Sequence, residues 1–200
     1  MADASLVTLI KAHAYGNDFL IAPVWPLDPP ADEAEFARQV CDRHRGIGAD
    51  GLMLTGPAPE GAWMRLRNAD GSPSEISGNG VRCIAAWLAD RDHHDLGRTV
   101  VISTDAGAKA LRLLARDGRR LTFQADMGPP TEVREVELTV GDDIVRAVVL
   151  RVGNPQCVIL GPATPDRLVR LAGPLAVHPF FRRARTSNWR TSSVRARCAF

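Results

Sequence analysis

The strongest constraint on this chain is the density of short β-rich runs in its second half. Thr99–Thr104, Ala108–Leu114, Leu121–Ala125, Val136–Val140, Ile144–Val152 and Cys157–Leu160 follow one another closely. Their alternating or β-branched character predicts strands. Few helix-periodic stretches separate them, so they cannot be laid out as repeated strand–helix–strand units. An α+β protein with mixed sheets is predicted, and a doubly wound parallel sheet is disfavoured.

Upstream, Leu6–Ile10 and Phe19–Val24 are predicted strands around the turn Ala14-Tyr-Gly-Asn-Asp18, followed by a Pro-rich loop at 26–30. Residues 33–44 predict a helix with Phe36, Ala37, Val40 and Cys41 on one face. Asp32 is its expected N-cap, with Glu35 three residues on, and Gly46 its expected stop. Gly46–Gly51 is a glycine-rich turn, and Leu52–Leu54 and Trp63–Leu66 are predicted strands. Asn79–Leu88 predicts a second helix, since Val81, Ile84, Ala85 and Leu88 recur at helical spacing.

Two hundred residues suffice for one large domain or two small ones. Met127-Gly-Pro-Pro130 interrupts regular structure and is the expected boundary. A weak internal echo points the same way: Gly16-Asn17 and Gly153-Asn154 each stand just before an apolar strand. No apolar run approaches the roughly 18–20 residues that cross a membrane. The first residues do not read as a signal peptide, so the cytoplasm is expected.

Cys41, Cys83, Cys157 and Cys198 form no C-x-x-C pair and no zinc-like spacing with His. Small buried hydrophobes or incidental thiols are expected, and no metal site. Six of the 25 Lys and Arg residues fall between Arg182 and the last residue, a stretch without acids. The remainder carries more acids than bases. A basic tail can bind nucleic acid, but this one lacks aromatic interleaving beyond Trp189 and any recognisable motif, so no nucleic-acid partner is expected.

The segment that carries chemistry is Asn68-Ala-Asp-Gly-Ser-Pro-Ser-Glu-Ile-Ser-Gly-Asn-Gly-Val-Arg82. Gly, Asn and Ser cluster directly before a predicted helix. Such a loop presents unpaired N–H groups at the positive end of the helix dipole, a site for a carboxylate or phosphate. An ordinary cap, with Ser77 or Asn79 capping and glycines turning the chain, accounts for the pattern equally well. It is neither a G-x-x-x-x-G-K-[ST] nor a G-x-G-x-x-G loop.

Four blocks make the chain similar to the diaminopimelate epimerase family: Lys11-Ala-His-Ala-Tyr-Gly-Asn-Asp-Phe19, Asp42-Arg-His-Arg-Gly-Ile-Gly-Ala-Asp-Gly51, Asn68 to Cys83, and Gly153-Asn-Pro-Gln-Cys157. Gly173-Pro-Leu with His178-Pro179 is a shorter fifth, and the resemblance runs from about residue 8 to Phe181. It implies two pseudo-symmetric mixed-sheet α/β domains facing each other across a cleft. Here they would be residues 1–126 and 127–181, the second incomplete, with 182–200 a basic tail.

The resemblance also implies an isomerase that inverts one α-carbon, taking LL-diaminopimelate to the meso form for lysine and peptidoglycan, without metal, pyridoxal or flavin. In this family a cysteine on each domain serves the reaction, one thiolate taking the α-proton and the other thiol returning one to the opposite face. By position, Asn17, Asn68 and Asn154 are implied to bind substrate, and Gly78 and Asn79 to grip the α-carboxylate. A homodimer is compatible with the resemblance.

The chain departs from the family pattern in four places. Ser77 stands where the first catalytic cysteine is expected, and Cys83, six residues on, is expected to pack within the helix. Gly51 replaces a substrate-contacting Gln. Gln156 replaces a His in the fourth block. The family's Glu-Arg pair and second cysteine fall beyond residue 200, and the match stops after Phe181. From about Arg182 the sequence is expected to be out of frame. Back-translated with G/C-rich codons, Thr186–Phe200 can be read in another frame as the Val-Glu block that the pattern expects, followed by a strand. An impaired epimerase is the leading expectation. The alternatives are a non-catalytic small-acid-binding module and a lyase or dehydratase relative. A chain cut within its second domain is also expected to be poorly soluble.

Overall fold

The computed structural model describes residues 8–24, 30–152, 154–162 and 164–182, and of Asn154, Pro155, Ala176 and Arg182 only the backbone. The predicted Pro-rich loop lies largely outside these residues, as do Gly153, Cys198 and all of the basic tail after Arg182. The chain divides into two compact units, at Gly128–Pro129.

The first unit is built on one mixed sheet. Strands β1 (Ile10–Ala14), β2 (Asn17–Pro23), β3 (Gly51–Ala58), β4 (Gly61–Asn68), β6 (Thr99–Thr104), β7 (Gly107–Asp117) and β8 (Arg120–Asp126) lie in that order, and the short β5 (Pro73–Ser74) pairs with β4. Neighbours run antiparallel except β2 with β3 and β4 with β6, which are parallel. Parallel neighbours need a crossover, and each crossover carries a helix. Helix α1 (Glu33–Cys41) joins β2 to β3, and α2 (Gly78–Arg91) joins β4 to β6.

Side-chain alternation along β2 and β3 sorts the core into two layers. Leu20, Ala22, Leu52 and Leu54 point to Ala37 and Cys41 of α1, with Phe36 and Val40 beside them. Phe19, Ile21 and Met53 point the other way, into the cluster with Val81, Cys83, Ile84, Ala85, Leu88 and Ala89 of α2. Helix α2 touches β1 and β2 at one end of the strand order and β6, β7 and β8 at the other. A flat sheet cannot present both ends to one helix, so this sheet curls around α2. The expected helices are thus present with shifted ends. The first stops at Cys41 rather than residue 44, because the backbone turns at Asp42, whose carboxylate accepts from the His44 and Arg45 N–H groups. The second gains its last turn, to Arg91.

The first predicted strand is displaced: β1 begins at Ile10 and continues through His13 to Ala14, while Leu6 and Val7 lie outside the described residues. The reason is the turn. Ala14 pairs directly with Asn17, leaving the two-residue loop Tyr15-Gly16, and both residues have positive φ, 55° and 83°. That is the hairpin geometry whose twist matches its strands.

The second unit is a meander of β9 (Thr131–Val140), β10 (Asp143–Val152) and β11 (Asn154–Ile159), with β10 central. One face packs Leu138, Val140, Val145, Ala147 and Val149 against Leu171 and Leu175 of α3 (Pro165–Ala176) and Phe181 of α4 (Pro179–Arg182). Neither helix was expected. Thr164-Pro165 is an N-cap followed by a first-turn proline, and Thr164 Oγ1 accepts from the Arg167 N–H. Pro174 inside α3 hides the helical pattern from sequence.

An ion-pair network holds the loop after α1 against the first hairpin. Arg43 bonds Asp18 at 2.6 Å and Asp50 at 2.9 Å, and Lys11 lies 3.3 Å from Asp18. The Arg43 guanidinium, and then Lys11, hold the Asp18 carboxyl down to about 2, against desolvation. A carboxylate depressed on folding contributes stability above its unfolded value, and that contribution is lost as pH falls through the folded value. The urea midpoint, followed by circular dichroism, should therefore fall as pH drops from 4 towards 2. Asp18→Asn should lower the midpoint at pH 7 and flatten this acid limb. Tyr15 gives a test of opposite sign. It is 94% exposed in a left-handed conformation that Asn tolerates better. Tyr15→Asn should stabilise the chain by about 0.5–1 kcal/mol, read as a higher urea midpoint at unchanged slope.

Candidate active site

Five of the six sequence-predicted site residues, Asn17, Asn68, Ser77, Gly78 and Asn79, come from three elements that meet at one end of the first sheet. Asn17 opens β2, which runs parallel to β3 with Phe19 opposite Gly51. Strand β4 returns antiparallel and ends there, with Asn68 opposite Gly51. Helix α2 starts beside them: the Asn79 Nδ2 group donates to Asn17 Oδ1 at 3.3 Å. Asn79 is 4% exposed, unusual for an amide side chain without a role in its surroundings. Asn68 is held locally, its Nδ2 donating to Ser72 Oγ at 3.0 Å and its N–H to the Ser72 carbonyl.

Ser77, not Asn79, is the N-cap of α2. Its backbone is extended (φ −128°, ψ 122°), and its Oγ accepts from the Gly80 N–H at 3.1 Å. Its carbonyl accepts from the Val81 N–H at 2.9 Å. Two first-turn donors are thereby satisfied. The N–H groups of Gly78 and Asn79 take no acceptor among the described residues, and they point outward from the positive end of the helix. No acidic residue stands in the first turn. Instead the Arg82 guanidinium folds back to donate to the Gly78 carbonyl at 2.6 Å. The end of α2 therefore gathers two free N–H groups, a helix dipole and a guanidinium, with no anion of its own turn to balance them.

Among the described residues no carboxylate, imidazole or amine bonds the Ser77 hydroxyl to activate it as a base. Cys83 lies on the buried face of α2 and burial pushes its thiol up to about 12. Cys41 and Cys157 are likewise pushed up to about 11, chiefly by burial. These thiols are protonated at neutral pH and cannot stand in for the expected thiolate. Among the described residues no group of His, Cys, Asp or Glu is placed to hold a metal ion, and no helix is long and apolar enough to cross a membrane.

Sequence reasoning passed over Asp50. Its carboxylate accepts from Asn17 Nδ2 at 2.6 Å and from the Asp18 N–H at 3.1 Å. Nothing in its spacing singles it out. Gly51 is constrained by contact: a Cβ there would lie 2.7 Å from the Arg67 carbonyl oxygen. Asn154, the remaining predicted binding residue, belongs to the second unit, where its backbone opens β11 opposite Val152. Asn17 and Asn154 thus hold equivalent places, each starting the second strand of an antiparallel pair.

Residues 9–133 match the family described as diaminopimelate epimerase. The chain is 36% identical to the diaminopimelate epimerase of Pelotomaculum thermopropionicum, over 86% of this chain and 67% of that protein. It is also 36% identical to that of Desulforudis audaxviator, over 86% of this chain and 66% of that protein. Among solved structures, a hydroxyproline epimerase from Agrobacterium vitis with bound trans-4-hydroxy-L-proline superposes with a TM-score of 0.62 at 20% identity, over 88% of this chain and 59% of that one. A probable proline racemase from Agrobacterium radiobacter gives 0.62 at 18% identity, over 84% and 53%. The chain spans about two thirds of the length of the curated relatives, and less of the solved ones. With most of the first unit matched in order and the α+β mixed-sheet fold shared, the chain belongs to the diaminopimelate epimerase family of isomerases.

Proposed function

We propose that this chain binds the α-amino-acid end of diaminopimelate at the start of α2 and serves its epimerisation at the α-carbon, with the proton-transfer step impaired by Ser77. The observation that carries the proposal is the pair of free N–H groups at Gly78 and Asn79, beside Ser77 and within reach of the Arg82 charge. An α-carboxylate seated there would accept both N–H bonds. The same groups would favour the negative charge that spreads into the carboxylate when the α-proton leaves. Asn17 and Asn68 stand at the same end of the sheet and supply amide groups for the rest of the substrate. Asn154 of the second unit is proposed to contribute likewise. The reaction needs no bound cofactor, since acid–base chemistry and a charge-stabilising site suffice in principle. A place in lysine and cell-wall synthesis, a cytoplasmic location, a homodimer and a division of labour between the two units belong to the same proposal.

The weak point is the base. A cysteine at the N-cap would have its thiolate favoured by the helix end, well below the ordinary 8.5 or so of a free thiol. The Ser77 hydroxyl gains no comparable acidity and is already used as a cap. A second reading, a small-acid-binding module without turnover, draws its support from that engagement.

Exchange at the α-carbon requires only one base, whereas inversion requires two, so the two steps can be separated. In heavy water the native chain is expected to bind diaminopimelate and to incorporate α-deuterium slowly. Ser77→Cys should raise the exchange rate by about 10²–10⁴, measured by NMR, while leaving the dissociation constant within a few-fold. Binding without exchange in either form would favour the binding module. Failure of both forms to bind diaminopimelate at millimolar concentration would remove the proposed substrate.

A further inference from the structure

We infer that Asp50 is a positioning residue for the carboxylate-binding end of α2, setting the orientation of the Asn17 and Asn79 amides. The inference rests on the proposed function for its consequence in binding, but the geometry that carries it does not depend on that function.

An ionised carboxylate can only accept hydrogen bonds, whereas an amide side chain has one donating and one accepting end. Asp50 Oδ2 lies 2.6 Å from the Asn17 side-chain nitrogen, so Asn17 must present its NH2 group to Asp50. That leaves Asn17 Oδ1 on the opposite side, where it meets Asn79 Nδ2 at 3.3 Å. Asn79 in turn must offer its NH2 group to Asn17. One charge therefore fixes the sense of two amides in series.

Asp50 is itself held from several directions. Arg43 donates to Oδ1 at 2.9 Å, and the Asp18 N–H donates to Oδ2 at 3.1 Å. Its own N–H donates to the Asp18 carbonyl at 2.9 Å, and its carbonyl accepts from the Ala69 N–H at 3.1 Å. The residue thus links the starts of β2 and β3 to the end of β4 next to Asn68. A neutral Asn at position 50 could either donate or accept, and the sense of the relay would no longer be specified.

The test is made on the full chain with Asp50→Asn and Asp50→Glu. Side-chain amide signals of Asn17 and Asn79, assigned by their loss in Asn17→Ser and Asn79→Ser, are followed by nitrogen–proton NMR without ligand. In Asp50→Asn both pairs of signals should move, and the Asn17 protons should lose the downfield shift of a bond to a carboxylate. Asp50→Glu, which keeps the charge, should restore that shift in part. In parallel, diaminopimelate is titrated into each form, and Asp50→Asn should bind about tenfold more weakly. Asn79 signals unchanged in Asp50→Asn, in a chain whose thermal midpoint shows it folded, would overturn the inference whether or not diaminopimelate binds. Failure of the native chain to bind, with both amide pairs still moving, would count against the proposed substrate and leave the relay established.

Discussion

The first unit depends on the burial of α2. The helix hides Asn79, Gly80, Val81, Cys83, Ile84, Ala85, Leu88 and Ala89, which is more than one stripe of its surface. A helix apolar over so wide an arc cannot be satisfied by one flat sheet face. Curling the sheet so that β1 and β2 close on one side and β6, β7 and β8 on the other satisfies it. At its C-terminal end the Arg116 guanidinium bonds the Ala89 carbonyl and Asp90, a cation where the helix dipole favours one. With its body enclosed, the helix can reach outward at its N-terminal end, which is where the free N–H groups stand.

That arrangement sets the conflict at Ser77. A hydroxyl is among the better N-caps, and losing one typically costs about 1 kcal/mol. The same position is where the family pattern expects the base. In this chain the side chain accepts from the Gly80 N–H and, among the described residues, has no partner to take its own proton. On the proposed function, the backbone that would grip a carboxylate is present, while the side chain at the expected base position serves as a cap. The three described thiols, Cys41, Cys83 and Cys157, do not offset the change, because each is raised by burial rather than lowered by a helix end.

Sequence patterns made the strands and the two helices of the first unit legible because their signals are local: period-two alternation, a 3.6-residue apolar repeat, and Asp32 with Glu35 at a helix start. Ser77 and Asn79 were equally good caps by type, and only backbone conformation separates them. Three features stayed hidden for physical reasons. The β1 shift is set by the register of a two-residue turn that tolerates Tyr15 against its preference. Helix α3 carries a proline in its interior. Asp50 acts through contacts 32 and 33 residues away in sequence, and no spacing rule encodes those.

The echo between Gly16-Asn17 and Gly153-Asn154 gains meaning from the layers on each side. In β2, Leu20 and Ala22 face the helix of the first crossover, α1. At the matching steps of β11, counted from Asn154, Cys157 and Ile159 pack into the cluster that holds α3. The intervening positions differ. Ile21 is fully buried in the cluster around α2, whereas its counterpart Val158 is 40% exposed. Two units that begin a strand at an asparagine and back it with a helix thus share one construction rule on one face. On the other face only the first unit applies it, since among the described residues α2 has no counterpart over Val158. Asn17 and the backbone of Asn154 sit at strand ends, where the chain emerges from the sheet while the strand stays anchored. On the proposed function, an amide at this step would serve binding without disturbing the core beneath it.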